Sequence, residues 1–531
     1  MRIIISIGLF CCLFLQGYAH RVWIVSNTNP VTSAAGVGRA NKGDLKYCIE
    51  KYMADDVITF APELAGQVIC FEAGVKLKTN ASLTIDASNL SSNVIFDGSF
   101  KTASPKRINI LIDGSQGYGT NYFIIRGVTF QNICVNDYIS ANMGALYINH
   151  GTVVVENCEF RDNIFYVNNI TTGSSIQGAI ICPVAGRTSL TVRKCKFINN
   201  FGRRGSAISI WPLKETIVDA CYFEGNNTYA GGACVFVNSS ATDTGNNSCV
   251  EIRNCTMTRN KGNAAGTLVT NLSLSNNAYT RIVGCTMVGN VSTTSSSTQM
   301  AMVNVAGRRL ELGGTLFGNN LNQNGSVVSD IAMGSSSSST LPEDSLFLLG
   351  YNIFSELNNF GADFSDIKLS SSPRNIIYKE WDSHPLTTST PTSEGVLLPS
   401  NDIAIQNNYL CVIPRETVES WMFAPAYDQL LRRRVSTWTS VGSYEINGQG
   451  STSDLCTSFD LPHKGIILLD RGAYVQLAGF DNENAEINLY NLSGQKIKSS
   501  FQSLLTPLRV AELPSGTYIV KVKGSSFKFV K

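Results

Sequence analysis

Charge is scarce in this chain of 531 residues. Asp, Glu, Lys and Arg together make up 15% of it, against about 25% in typical soluble proteins. The two signs nearly cancel, with 42 Lys+Arg against 40 Asp+Glu, and no basic stripe stands out. Phosphate neutralisation dominates nucleic-acid affinity, so such a chain is not expected to bind nucleic acid. On the same ground the chain is expected to be a poor electrostatic ligand for a membrane. Histidine is rarer still. His20, His150, His384 and His463 lie far apart, and no His/Asp/Ser or His/Cys constellation can be argued from them. His150 precedes a strand pattern and reads as a turn residue. No CxxC…CxxC metal spacing, phosphate loop or calcium-binding nonapeptide is present. Gly114-Ser115-Gln116-Gly117 lacks the strand-to-helix context of a dinucleotide fingerprint. No metal or cofactor is therefore expected.

Long hydrophobic runs are also missing. The one apolar stretch, Ile3 to Leu15, is shorter than the ~20 residues a membrane helix needs. With Arg2 before it and Gly17-Tyr18-Ala19 after it, residues 1–19 read as a cleaved secretory leader. Cys11 and Cys12 fall inside the apolar run. Each is preceded by a large residue or another cysteine, which argues against a lipoprotein site. No transmembrane segment is expected once the leader is removed.

Thirteen cysteines follow the leader, an odd number for a disulfide framework. Five of them mark a repeat. VVVENCEFRDN (153–163), LTVRKCKFINN (190–200), TIVDACYFEGN (216–226), VEIRNCTMTRN (250–260) and TRIVGCTMVGN (280–290) align on Cys158, Cys195, Cys221, Cys255 and Cys285. FIIRGVTFQNI (123–133) and RLELGGTLFGN (309–319) fit with substitutions. Two positions after each cysteine stands Phe160, Phe197, Phe223, Met257 or Met287, with Leu316 read as the last member. Five after it stands Asn163, Asn200, Asn226, Asn260 or Asn290, with Asn319 read as the last. A second motif of small residues precedes most units, as in Gly178-Ala179-Ile180 and Gly231-Gly232-Ala233-Cys234. It suits a tight bend before another strand.

The aligned cysteines are 37, 26, 34 and 30 residues apart. Units of this size with two or three short strands and no helical period predict an all-β fold, a right-handed parallel β-helix. Stacking then predicts three ladders. Phe/Met side chains form one inside, free cysteines a second, and Asn amides a third that bonds from rung to rung at a bend tolerant of left-handed backbone. A buried free cysteine packs as a small hydrophobe, which accounts for these thiols without chemistry. Disulfides among some of them are the other reading. Cys48–Cys70 and Cys411–Cys456 are two further candidate bridges.

The Gly-Gly-Ala-Ile-like and Phe-x-x-Asn pairs (Phe160…Asn163, Phe197…Asn200, Phe223…Asn226) resemble the repeats of chlamydial polymorphic outer-membrane proteins and related β-helix adhesins. Residues 43–89 resemble the N-terminal cap coil of bacterial surface β-helix proteins. There Leu45-Lys46-Tyr47-Cys48-Ile49 stands in a short helix that would cover the open end of the solenoid. GYNIFSEL (350–357) and residues 425–445 resemble closing coils. Arg432-Arg433-Arg434 in the latter reads as a solvated turn.

The last 65 or so residues read as a separate small β-sandwich of alternating strands with tight turns. INLYNLSGQKIKS (487–499) and VAELPSGTYIVKVKGSSFKFVK (510–531) closely resemble the C-terminal sorting domain of type IX secretion in Bacteroidetes. Gly494, Leu513, Pro514, Gly516, Tyr518 and Lys531 occupy the matching positions. The resemblance implies a division into 1–19 leader, 20–465 β-helix with cap and 466–531 sorting domain. It also implies the type IX machinery as a partner, and a secreted or outer-membrane-attached product. The tracts 335–340 and 386–393 read as low-complexity loops. Asp344-Ser345-Leu346 resembles a Bacteroidetes O-glycosylation site.

Parallel β-helices also carry polysaccharide lyases and glycosidases, which need a calcium–carboxylate cluster with a base or a pair of carboxylates. The acids Asp162, Glu215, Asp219, Glu224 and Glu251 read as scattered, recurring at no one coil position. Arg203-Arg204 reads as a surface turn, with a lyase base or an acidic-sugar contact as the alternative. The sequence therefore supports adhesin-like binding of a host protein or glycan, with a polysaccharide-active enzyme as the rival.

Overall fold

The computed structural model describes residues 21–32, 41–78, 81–98, 110–113, 121–133, 144–165, 177–183, 188–211, 213–229, 231–238, 249–263, 266–273, 279–293, 301–305, 309–333, 346–357, 375–400, 410–414, 428–430, 438–444 and most of the strands between 467 and 530. The expected leader, Cys456, Asp344, Ser345, Arg432 to Arg434, Gly494, Gly516 and Lys531 lie outside the described residues.

Short β-branched runs separated by bends build a parallel β-solenoid. One coil runs Ile208–Ile210 on a first face, Glu215–Asp219 on a second, Tyr222–Glu224 on a third and Asn227–Thr228 on a narrow fourth edge. The next coil repeats this with Val235–Val237, Cys249–Arg253, Thr256–Thr258 and Lys261–Gly262, all paired in parallel and in register. The two-residue fourth strand is one more than the sequence pattern suggested. The second face extends back to Val22–Val25 and forward to Leu346–Gly350, and the third from Val68–Cys70 to Ile376–Ile377.

Two columns of left-handed residues turn the chain between faces. Asn157, Lys194, Ala220, Asn254, Gly284, Gly314 and Tyr351 stand before the second-to-third bend. Asp162, Asn199, Gly225, Arg259, Gly289 and Asn319 stand before the third-to-fourth. A positive φ at Lys194, Arg259 or Tyr351 is unfavourable in isolation. It is held by the residue that follows. The left-handed position is thus one residue before the Asn ladder, not in it.

That ladder is fully buried. The side-chain amide of each Asn donates to the next carbonyl oxygen, at 2.8 Å (Asn163 to Asn200), 2.9 Å (Asn200 to Asn226), 3.0 Å (Asn226 to Asn260) and 3.1 Å (Asn260 to Asn290). The same amides reach the carbonyls of Phe130, Phe160, Phe197 and Phe223. The final rung is Asn320, which accepts from Asn290 at 3.0 Å, rather than Asn319. The interior residue of that coil is likewise Phe317, paired with Met287, not Leu316. A one-residue slip sends every side chain to the opposite face, and Leu316 points outward. Inside, Phe130, Phe160, Phe197 and Phe223 stack nearly parallel with centroids 4.9, 5.0 and 5.0 Å apart.

Cys158, Cys195, Cys221, Cys255 and Cys285 are free and buried at the second-to-third bend. Each sulfur sits 3.1 to 3.6 Å from two carbonyl oxygens, one on its own strand and one on the coil before. Thr315 and Asn352 continue the column with a hydroxyl and an amide on equivalent carbonyls. The position therefore selects a small donor, and a thiol meets that need weakly. Burial pushes the thiols of Cys158, Cys221, Cys255 and Cys285 well above their usual range.

At the N-terminal end the helix Leu45–Lys51 buries Leu45, Cys48 and Ile49 against the first coil. The expected Cys48–Cys70 bridge is not formed, and both thiols are free. Ile69 fills the interior, so alternation turns Cys70 outward while Cys48 points in. His150 lies within the continuous strand Leu146–Glu156 and is buried, rather than in a turn.

The described residues of 378–400, 410, 428–430 and 441–444, expected in part to be loop or closing coil, pack over the outside of the third face instead. Tyr378, Leu386, Leu397, Leu410 and Val441 form an apolar cluster on Val288, Leu316 and Ile353. Gln429 and Ser443 bond Thr256, and Ser443 also bonds Thr286. Gly318 is required there, since a Cβ would run into the Trp381 ring.

Asn226→Ala removes the acceptor of the Asn200 N–H and breaks the amide links to Asn200 and Asn260, and should cost about 3 kcal/mol at 1–3 kcal/mol per unsatisfied buried group. Asn227→Ala, at an exposed neighbour, should stay within about 0.5 kcal/mol. Urea midpoints check both. Iodoacetamide should leave the five ladder thiols unmodified in native protein and label all five after unfolding. Labelling of any of them under native conditions would contradict the buried column.

Candidate functional site

The outer side of the second face carries charge that the sequence reading took for scattered acids. Register places Asp86, Arg126, Glu156, Arg193, Asp219 and Arg253 in one column of alternating sign. Arg126 bonds Glu156 at 3.1 Å, and Arg253 bonds Asp219 at 3.0 Å and Glu251 at 3.0 Å. Burial alone would raise the Asp219 carboxyl, but the guanidinium groups of Arg253 and Arg193 hold it below the usual range. A second column runs Glu251, Arg281, Glu311. Asp219 and Glu251 thus do fall in columns interleaved with arginines. Asp219 pairs with Arg193 and Arg253 on the strands either side, while Glu251 and Glu311 pair with Arg253 and Arg309 of their own coils, and Glu311 also with Arg281 on the neighbouring strand. Glu224, read as solvated, pairs with Arg259 at 2.8 Å, while Asp162 is exposed. Such compensated charges hold register, and none presents a free carboxylate pair for glycosidic chemistry. Among the described residues, no group of three or more His, Cys, Asp or Glu side chains could hold a metal ion.

The narrow fourth edge differs. Phe201–Gly202, Asn227–Thr228, Lys261–Gly262, Val291–Ser292 and Leu321–Asn322 pair in sequence along it. Backbone bonds one residue further on (Tyr229 N to Gly202 O at 3.2 Å, Thr293 N to Gly262 O at 2.8 Å) keep the next residues aligned. Arg203, Tyr229, Asn263, Thr293 and Gln323 thereby form one row. Arg126, Arg161, Arg193, Arg253, Arg259, Arg281 and Arg309 all take part in ion pairs. Arg203 and Arg204 pair with no acid among the described residues. Arg203 is only 5% exposed, and its Nε has no hydrogen-bond partner. Arg204 lies 5.8 Å from the Phe236 ring centroid. Burial, and then the Arg203 charge, pull its pKa down.

One further buried acid closes the last coils. Asp330 accepts bonds from Ser355 N at 2.6 Å, Ser355 Oγ at 3.0 Å and Glu356 N at 3.0 Å. Burial outweighs these donors and pushes its pKa up to about 7. Unfolded, an aspartate titrates near ~3.9. Between those values the folded state keeps a proton the unfolded chain has lost, so stability falls as pH rises through that window. Urea midpoints at pH 4.5 and 8 should show this fall, and Asp330→Asn should flatten it. An unchanged slope in the variant would exclude Asp330 as its source.

The C-terminal residues form two antiparallel sheets. One joins Ile467–Asp470, Tyr474–Ala478 and Leu508–Arg509, and the other joins Asn484–Asn491, Lys496–Ser503, Thr517–Val522 and Ser525–Val530. Ile487, Leu489, Leu513, Tyr518, Val520 and Val522 are buried. Tyr518 donates its hydroxyl to the Pro514 carbonyl at 2.7 Å, which ties the turn to the strand after it. No helix among the described residues is long and apolar enough to cross a membrane.

No curated protein matches the chain. Residues 462–531 match the family described as Secretion system C-terminal sorting domain. The chain thus couples a parallel β-solenoid to a tail that engages the type IX secretion machinery and directs export, to surface attachment or release.

Proposed function

We propose that the mature protein is a cell-surface β-helix that binds host protein or glycan ligands in the manner of an adhesin. The observation that carries this reading is the join itself, a long solenoid in front of a sorting tail. Solenoids present extended surfaces to their ligands, and an exported one presents them outside the cell. The repeat resemblance to β-helix adhesins points the same way. In this reading residues 1–19 are removed as a leader, 20–465 are displayed, and 466–531 are handed to the export machinery, with Gly494, Leu513, Pro514, Gly516, Tyr518 and Lys531 as the sorting signal. The Cys, Phe and Asn ladders serve as the scaffold and take no part in ligand chemistry.

Deleting 466–531 should leave the protein in the periplasm, read by surface proteolysis of intact cells. Normal surface display of the truncated chain would overturn the sorting role. Purified mature protein, incubated with acidic and neutral polysaccharides, should bind without generating new reducing ends or unsaturated products. Product formation would replace the adhesin reading with a polysaccharide-active enzyme.

A further inference from the structure

Two adjacent arginines without a carboxylate partner are costly in a fold that pairs its other wall-facing arginines so thoroughly. Arg203 is almost wholly buried, and its Nε is left without an acceptor. A buried Nε–H without an acceptor gives up its hydration with nothing in return. Arg204, on the next residue, adds a like charge and is held over Phe236. One rung along, Tyr229 presents its ring to solvent at 43% exposure. The row goes on through Asn263, Thr293 and Gln323, all neutral hydrogen-bonding side chains, and Lys261 stands exposed beside it. No carboxylate interrupts the row. It therefore offers a planar cationic fork, an aromatic platform and then amide and hydroxyl groups, spaced by the ~4.8 Å between stacked strands.

We propose that this edge binds an acidic polysaccharide, with Arg203 and Arg204 holding a carboxylate or sulfate group and Tyr229 stacking against the adjoining sugar ring. A guanidinium matches either oxyanion with two parallel hydrogen bonds. The neutral row beyond suits the hydroxyls of the following sugars. This assignment rests on the ligand-binding reading above and specifies its chemistry.

The test uses purified mature protein with three polymers, polygalacturonate, dextran sulfate and uncharged dextran, in calorimetric titrations. Binding is expected for at least one anionic polymer and not for dextran, and the preferred polymer distinguishes carboxylate from sulfate. Affinity should fall as NaCl is raised. Arg203→Gln with Arg204→Gln should lower it by about tenfold or more, the worth of a lost charge-assisted bond. Tyr229→Ala, at an exposed ring, should lower it without touching the core. Lys214→Ala removes an exposed charge elsewhere and should leave it unchanged. Thermal midpoints verify that each variant is folded. Equal losses for Lys214→Ala and the double variant would reduce the effect to net charge and overturn the site, as would failure to bind either anionic polymer. A parent protein that binds a neutral glycan or protein ligand but neither anionic polymer would overturn the site and leave the ligand-binding reading standing.

Discussion

In-register parallel stacking makes every residue the neighbour of its own equivalents, about one strand spacing above and below. Whatever stands at one position of a coil must therefore be compatible with itself, repeated. Three kinds of side chain meet this demand inside the solenoid, each by a different physics. Aromatic rings stack face over face, as Phe130, Phe160, Phe197 and Phe223 do. Amides both donate and accept, so Asn163 to Asn320 form one continuous chain of bonds. Thiols are small and demand little, so Cys158 to Cys285 fit where two carbonyls converge at a bend.

Charges cannot follow the same rule. Like charges stacked on adjacent rungs repel, and this cost grows where burial lowers the local dielectric. The second face solves the problem by alternation, with Asp86, Arg126, Glu156, Arg193, Asp219 and Arg253 taking turns. A slip of one coil would set acid on acid, so the column opposes misregister as well as supplying ion pairs. The low overall charge of the chain fits a fold in which each exposed column must be balanced along its whole length. Against that background Arg203 and Arg204, which pair with no acid among the described residues, are the departure.

The faces also differ in what covers them. The third is overlaid by described residues between 378 and 400 and between 410 and 444, with Leu386, Leu397 and Val441 clustered with Leu316 and Ile353. This overlay bonds to several successive coils, through Lys196, Arg259, Thr256 and Thr286. It braces the repeat against separation of its coils. On the fourth edge, by contrast, Tyr229 and Lys261 are exposed among the described residues.

Much of this was legible in the sequence. The Cys–x–Phe and Cys–x4–Asn spacings, repeated with few interruptions, were enough to place coils, interior ladders and bends, because a periodic fold writes its neighbours into its own period. The helix at Leu45–Lys51 and the tail beyond 462 were legible because their patterns are local. What escaped was everything that depends on contact between unlike parts. The off-by-one rung at Asn320 needed the pairing of Met287 with Phe317, since Asn319 and Asn320 are identical in type. The charge column needed register, because loops of unequal length hide the equivalence of Asp219 and Glu156. The overlay of the third face, through residues such as Ser389 and Gln429, joins residues more than a hundred positions apart. Sequence periodicity alone determined that the chain stacks and what lines its interior, because each rung must fit a copy of itself. Tertiary structure alone decided which charges meet, which face is covered and which arginines stay unmatched, because those contacts join positions that no local period relates.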